Sequence, residues 1–316
     1  MRLLIAYDGS AGADAALDDL ARAGCGNNVE AIIMSVAELW LPPPPAPATG
    51  PAQSSPLYTP PGVKGAREHV AHVIDEVSTL NRNAGTRLQT AFPSWEVSNE
   101  VSTGSPAWEI ITKADKWKPD LLIVGSQGRS ALGRIFLGSV SQKILTEARC
   151  SVRVGRKPIA AGGLPVRLLV GVDGSPGAHA AVQEIARREW LSGVQITVIT
   201  VEDPSVPLAL GSLNPQVTEW IGETDEASPQ WSRKMVDAFA EDLRGLGPVT
   251  ALVKQGDART VLIDEAKRLE ADCIFVGSTG FSNRFERFLL GSVSAALANR
   301  AQCSVEVVRN TVPSEA

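Results

Sequence analysis

Val124-Gly125-Ser126-Gln127-Gly128, followed by Gly138-Ser139-Val140-Ser141, returns one domain length later as Val276-Gly277-Ser278-Thr279-Gly280, followed by Gly291-Ser292-Val293-Ser294. Each copy follows an apolar run, Leu121–Val124 or Ile274–Val276, and precedes a helix-like stretch. A strand that opens into a glycine loop and then a helix N-terminus is a common way to hold a phosphate. The first amides of the helix have no partner within it, and the helix dipole favours an anion there. Glycine lets such a loop turn sharply and brings backbone close to a ligand. The doubling makes the chain read as a duplicated nucleotide-binding fold.

The repeat extends outward from these loops. Leu3-Leu4-Ile5-Ala6-Tyr7-Asp8-Gly9-Ser10 matches Leu168-Leu169-Val170-Gly171-Val172-Asp173-Gly174-Ser175. Each reads as a buried parallel strand ending on an Asp-Gly-Ser turn. Alanine-rich helices follow at about Ala11–Ala23 and Pro176–Trp190, then second strands at Val29–Val36 and Val194–Val201. The copies diverge next. One runs through the proline-rich stretch 41–62, the other through Asp203–Ser228, and both read as surface loops. Long helices are expected at about Val63–Asn83 and Pro229–Leu243, and third strands at Glu96–Val101 and Pro248–Val253. Ser105 before Pro106, and Asp257, read as helix N-caps. Fourth strands fall at Asp120–Val124 and Asp272–Val276, last helices start at Ser139 and Ser292, and fifth strands fall at Ser151–Val154 and Ser304–Val308. Such alternation implies parallel sheets covered on both faces, with ligands beyond the carboxyl ends of the strands. The expected division is 1–156 and 167–312, joined by 157–166.

Composition narrows the function. With 44% hydrophobic and 21% charged residues, each half can build a core. A net charge of −5 argues against a general nucleic-acid binder, which needs clustered Lys and Arg. The N-terminal apolar run is too short for a signal peptide, and stretch 41–62 is too rich in proline for a membrane helix. The four cysteines form no C-x-x-C pair, and Cys150 and Cys303 take equivalent places as small buried thiols. The expectation is a cytoplasmic protein with no nucleic-acid or membrane partner.

Asp8 and Asp173 close the first strands. A carboxylate beside a phosphate site would repel it, so each is expected to bond an adenine or ribose donor or to steady Mg²⁺; a plain Asp-Gly turn is the alternative. Lys143 lies one helical turn after Ser139, and Ala296 replaces it in the second copy. Arg284 and Arg287 are candidates to compensate there. There is no G-x-x-x-x-G-K-[ST] loop, and His69, His72 and His179 suggest no catalytic or metal centre.

Gly-x-x-Gly, nine residues, then Gly-Ser, as Gly125, Gly128, Gly138 and Ser139 stand here, resembles the ATP-binding signature of universal stress proteins. The opening strand with Asp-Gly-Ser, the Gly104-Ser105-Pro106-Ala107 segment and the closing Cys-x-Val strand resemble that family in the same order, twice over. The resemblance implies two tandem Rossmann-like α/β domains of strand order 3-2-1-4-5, paired through their fifth strands as an internal pseudo-dimer. It implies ATP, with Mg²⁺, as ligand. Asp8 and Val36 would line an adenine pocket, and Gly125, Gly128, Arg129, Gly138, Ser139 and Val140 would hold ribose and phosphates. The matching second set is Asp173, Val201, Gly277, Gly280, Gly291, Ser292 and Val293; there ten residues, with Phe281 first, separate the glycine pairs. Arg153 and Glu306 take equivalent places in the fifth strands, so opposite charges are expected to meet across the pseudo-twofold axis. The expected function is an ATP-binding stress-response regulator with little or no turnover, open to further homodimer or protein partners. A slow Mg²⁺-dependent ATPase and a nucleotide-free scaffold are the alternatives.

Overall fold

The structure, a computed structural model, describes residues 1–39, 61–128, 137–156, 164–203, 229–278, 280 and 290–310, with backbone alone at 61–69 and 229. Arg129, Phe281, Arg284, Arg287, stretch 41–60 and most of 203–228 lie outside the described residues.

The first half runs β1 (Arg2–Ala6), α1 (Ala11–Asp19), β2 (Glu30–Ala37), α2 (Pro61–Ala91), β3 (Glu96–Thr103), α3 (Pro106–Trp117), β4 (Leu121–Gly125), α4 (Ser139–Glu147) and β5 (Ser151–Gly155). The second runs β6 (Arg167–Gly171), α5 (Pro176–Ala186), β7 (Gln195–Glu202), α6 (Pro229–Leu243), β8 (Val249–Gln255), α7 (Ala258–Arg268), β9 (Cys273–Gly277), α8 (Ser292–Arg300) and β10 (Ser304–Val308). All ten strands form one sheet, ordered β3-β2-β1-β4-β5-β10-β9-β6-β7-β8. Each half therefore has the order 3-2-1-4-5. Pairing is parallel within each half and antiparallel between β5 and β10. Joining these two strands removes an exposed edge from each half.

Strand alternation decides what meets at the seam. Val152, Val154, Val305 and Val307 turn to one face, where a single apolar core runs across both halves. Arg153 and Glu306 stand opposite each other and turn to the α1/α5 face. The expected charge pair is present, with Arg153 Nη1 donating to Glu306 Oε2 at 3.0 Å, both side chains 0% exposed. It belongs to a larger buried network. Arg153 also donates to Asp19 at 2.6 and 3.1 Å, and Arg188 bridges Glu306 and Glu184. Beside it Arg22 forks onto Asp272 at 2.7 and 2.6 Å. The ~0.2–1 kcal/mol typical of a cross-strand pair therefore does not describe it.

The halves are also clamped reciprocally. Arg156, just past β5, donates to the Ala298 carbonyl near the end of α8, and Arg309, just past β10, donates to the Leu145 carbonyl near the end of α4 at 2.5 Å. Each arginine thus satisfies an orphan carbonyl in the last turn of the other half's final helix.

Local expectations differ from the structure at several helix ends: α1 stops at Asp19 and α5 at Ala186, short of the expected Ala23 and Trp190. Helix α2 continues past Asn83 to Ala91 because Ala84 and Leu88 extend its buried face. Gly85 is tolerated within it since a Cβ there would collide with the Asn99 amide, which docks on the helix by donating to Asn81. Ser105 occupies the N-cap position of α3 but makes no side-chain cap bond, whereas Asp257 does cap α7 through Thr260.

Cys150 and Cys303 are buried at the starts of β5 and β10, and burial pushes their thiols up to about 11 and about 12. Alkylation of the native protein at neutral pH is therefore expected to be far slower than in denaturant; equal rates by mass spectrometry would contradict this burial. A raised thiol pKa stabilises the fold fully below the unfolded value near 9, and this contribution is lost as pH climbs toward 11–12.

Candidate functional site

The sequence shapes the first crevice where β1 and β4 end side by side. After β1 the chain turns through Asp8 and Gly9, with Gly9 at φ 75° and Asp8 Oδ1 accepting from Ser10 N at 2.9 Å. Ser10 then serves two elements. Its Oγ accepts the Ala13 amide at 3.1 Å, capping α1, and donates to the Gln127 carbonyl at 3.0 Å, tying the first turn to the glycine loop.

The glycine loop is closed at its base. Gly138 N donates to the Ser126 carbonyl at 2.9 Å, and Ser141 Oγ donates to the Gly125 carbonyl at 2.7 Å. The first helical bond of α4 runs from Gln142 N to Gly138 O at 2.8 Å. The amides of Ser139, Val140 and Ser141 therefore have no helical acceptor, and the positive end of the dipole lies there. Gly138 is the N-cap of α4 and Ser139 its first residue. A Cβ at Gly138 would lie 3.5 Å from Gly128 N, at ordinary contact and over that amide.

Gly125 is required for a different reason from the one the sequence suggests. A Cβ there would lie 2.5 Å from the Gly12 carbonyl carbon and 2.7 Å from Ala13 N. The space belongs to the backbone of α1. Gly277 repeats this against Gly177, at 2.5 Å from its carbonyl carbon.

These elements surround a cleft of ≈ 650 Å³. Asp8, Val36, Gly125, Gly128, Gly138, Ser139 and Val140 all line it, so the expected first-half residues that the structure describes come together. Sequence reasoning missed its other wall. Val73, Val77 and Leu80 of α2 face the cleft, as do Met34 of β2 and Ala107 and Ile110 of α3. The i, i+4, i+7 spacing of the α2 residues is the signal that was available. The cleft is thus apolar between α2 and α3 and polar at the α4 N-terminus, where Lys143 also lines it.

The second half repeats the framework. Asp173 Oδ1 accepts from Ser175 N at 3.0 Å, Gly291 N donates to Ser278 O at 2.7 Å, and Ser294 Oγ donates to Gly277 O at 2.7 Å. A Cβ at Gly280 would lie 2.8 Å from Asp173 Oδ2, which places that loop against the carboxylate. Ser292 opens α8 with Gly291 as its N-cap, Val293 follows half-buried, and Val201 lies near the end of β7. Among the described residues no group of three or more His, Cys, Asp or Glu is placed to hold a metal ion. No helix among them is long and apolar enough to cross a membrane.

Two wound α/β halves, each with a glycine-framed crevice where the strand order reverses, define a tandem crevice-binding α/β protein. The chain belongs to the universal stress protein family, whose profile matches it twice, over residues 1–156 and 166–309. It is 32% identical over 196 residues to a universal stress protein of Mycolicibacterium smegmatis, covering 60% of this chain and 61% of that protein. A universal stress protein of Mycobacterium tuberculosis is 28% identical over 196 residues, covering 61% and 62%. The chain spans about three fifths of the length of these curated relatives. The crystal structure of a universal stress protein from Archaeoglobus fulgidus shares the fold at a TM-score of 0.58 and 19% identity, covering 98% of each chain.

Proposed function

We propose that this chain binds adenine nucleotides, ATP with Mg²⁺, in its two crevices and serves as a nucleotide-responsive regulator in the stress response. Its place would be the cytoplasm, and occupancy of the crevices would govern its protein partners or further self-association. The working units are 1–156 and 167–312, joined by 157–166.

The observation that carries this reading is the composite cleft. Its apolar end, between Val36, Val77, Leu80 and Ile110, suits a flat base. Its other end offers the unpartnered amides of Ser139 and Val140 to an anionic tail. Asp8 faces the space between, with Oδ1 engaged by Ser10 N and Oδ2 beside the glycine loop, and is suited to accept from a ribose or base donor. The equivalent roles in the second half fall to Val201, Asp173, Ser292 and Val293. Little turnover is expected. The cleft hydroxyls of Ser10 and Ser141 donate to backbone carbonyls rather than to a base that would activate them.

Gly138→Ala tests the cradle. Its backbone, at φ −62° and ψ 153°, suits alanine, and Gly-to-Ala at an N-cap costs only about a few tenths of a kcal/mol. The folded variant is expected to melt close to the parent yet to lose ATP affinity by about tenfold or more at the first crevice, because the added methyl covers an amide. Titration calorimetry with MgATP reads this directly. Unchanged binding in the variant, or no heat in the parent protein, would remove the proposal.

A further inference from the structure

The two crevices share a backbone but not a charge. Lys143 lies on α4, one turn beyond the free amides, and lines the first cleft. No described carboxylate lies within ion-pair distance of it, whereas Lys113 on neighbouring α3 is committed to Glu100 at 2.5 Å. Ala296 fills the equivalent place on α8. The second half carries its cation elsewhere. Arg259 stands where Ala107 lines the first cleft, and its Nε is held by Asp257 Oδ1 at 2.8 Å. Among the described residues, the first crevice therefore has an uncommitted cation at its phosphate end, and α8 places none at the equivalent position.

Resting on the nucleotide reading above, we infer that Lys143 makes the N-terminal crevice read the length of the phosphate tail. That crevice favours triphosphate over monophosphate. Helix amides act through short hydrogen bonds, which the phosphate of AMP makes as well as the first phosphate of ATP. An ammonium on a flexible four-carbon stem is a point charge of longer reach, and it adds most to the charge furthest along the tail. The residue sets specificity, and the helix terminus sets binding as such.

The experiment is calorimetric titration of the full chain with MgATP and, separately, AMP, on the parent, Lys143→Met, Lys143→Arg and Ala296→Lys. In the parent, one class of site is expected to prefer ATP over AMP clearly. Lys143→Met should lower ATP affinity at the first class by about tenfold, the scale of one charge-assisted contact, and leave AMP within about twofold. Lys143→Arg should retain most of the preference, and Ala296→Lys should strengthen that of the second class. Added salt should narrow the ATP preference of the parent and leave that of Lys143→Met nearly unchanged. Equal losses for ATP and AMP in Lys143→Met, or an unchanged ratio there, would overturn the inference and leave the nucleotide reading intact. Parent protein that takes up neither nucleotide would overturn that reading, and this inference with it.

Discussion

Glu306→Ala is expected to destabilise the protein by about 3–5 kcal/mol, the cost of removing one partner from a buried ion pair. Glu306 is 0% exposed and accepts from Arg153 Nη1 and Arg188 Nη1, each at 3.0 Å, and from Arg188 Nη2. Truncation leaves Arg153 to Asp19 and Arg188 to Glu184 alone, and strips their buried N–H groups of the acceptors that Glu306 supplied. Burial alone would lower the pKa of each, yet their acidic neighbours, Asp19 for Arg153 and Glu306 for Arg188, hold both above the ordinary arginine value. Asp19 and Glu184 remain in the variant, so the cations persist, and the loss appears as stability rather than as deprotonation. Denaturant unfolding should show a lower midpoint with an unchanged slope. Arg87→Ala supplies the contrast, since its pairs with Asp14 and Asp18 are well exposed and are worth about 0–1 kcal/mol. Equal effects from the two substitutions would mean that water reaches the seam.

Gly125→Ala and Gly277→Ala form the second large prediction. Each new methyl would sit 2.5 Å from a carbonyl carbon of α1 or α5, and backbone cannot yield as a side-chain tip does. A destabilisation of about 1–3 kcal/mol or more is expected from such overpacking. Binding in the affected half should fall with it, because displacing α1 pulls Ser10 from the Gln127 carbonyl. Calorimetric melting separates these variants from Gly138→Ala. A Gly125→Ala protein that melts like the parent would show that the first turn of α1 does not rest on β4.

The architecture was legible because its signals are local. Leu3–Ile5 and Leu168–Val170 are short unbroken apolar runs closed by Asp-Gly-Ser turns, as a strand covered on both faces requires. The turn after each run and the glycine spacing pointed to Asp8, Gly138 and Ser139, the family resemblance added Val36, and all four line one cleft. What stayed hidden depends on contacts distant in the chain. Arg153 could be matched to Glu306 by the repeat, but Asp19, Glu184 and Arg188 join them only once α1 and α5 are packed beside the seam. The true neighbour of Gly125 was equally hidden. A glycine that spares a ligand and one that spares a helix look the same in sequence, and only Gly12, more than a hundred residues away, tells them apart. The α2 wall was overlooked for a plainer reason. The segment reads only as a long helix with no face assigned, whereas Val73, Val77 and Leu80 turn toward the cleft.

The crossed arginines, Arg156 on α8 and Arg309 on α4, carry a further consequence because both halves share one polypeptide. The tether holds the two edges at an effective concentration on the order of millimolar, however dilute the protein becomes. Scarcity of the molecule in a cell thus cannot prise its partners apart, as it can when an assembly relies on two separate chains finding each other.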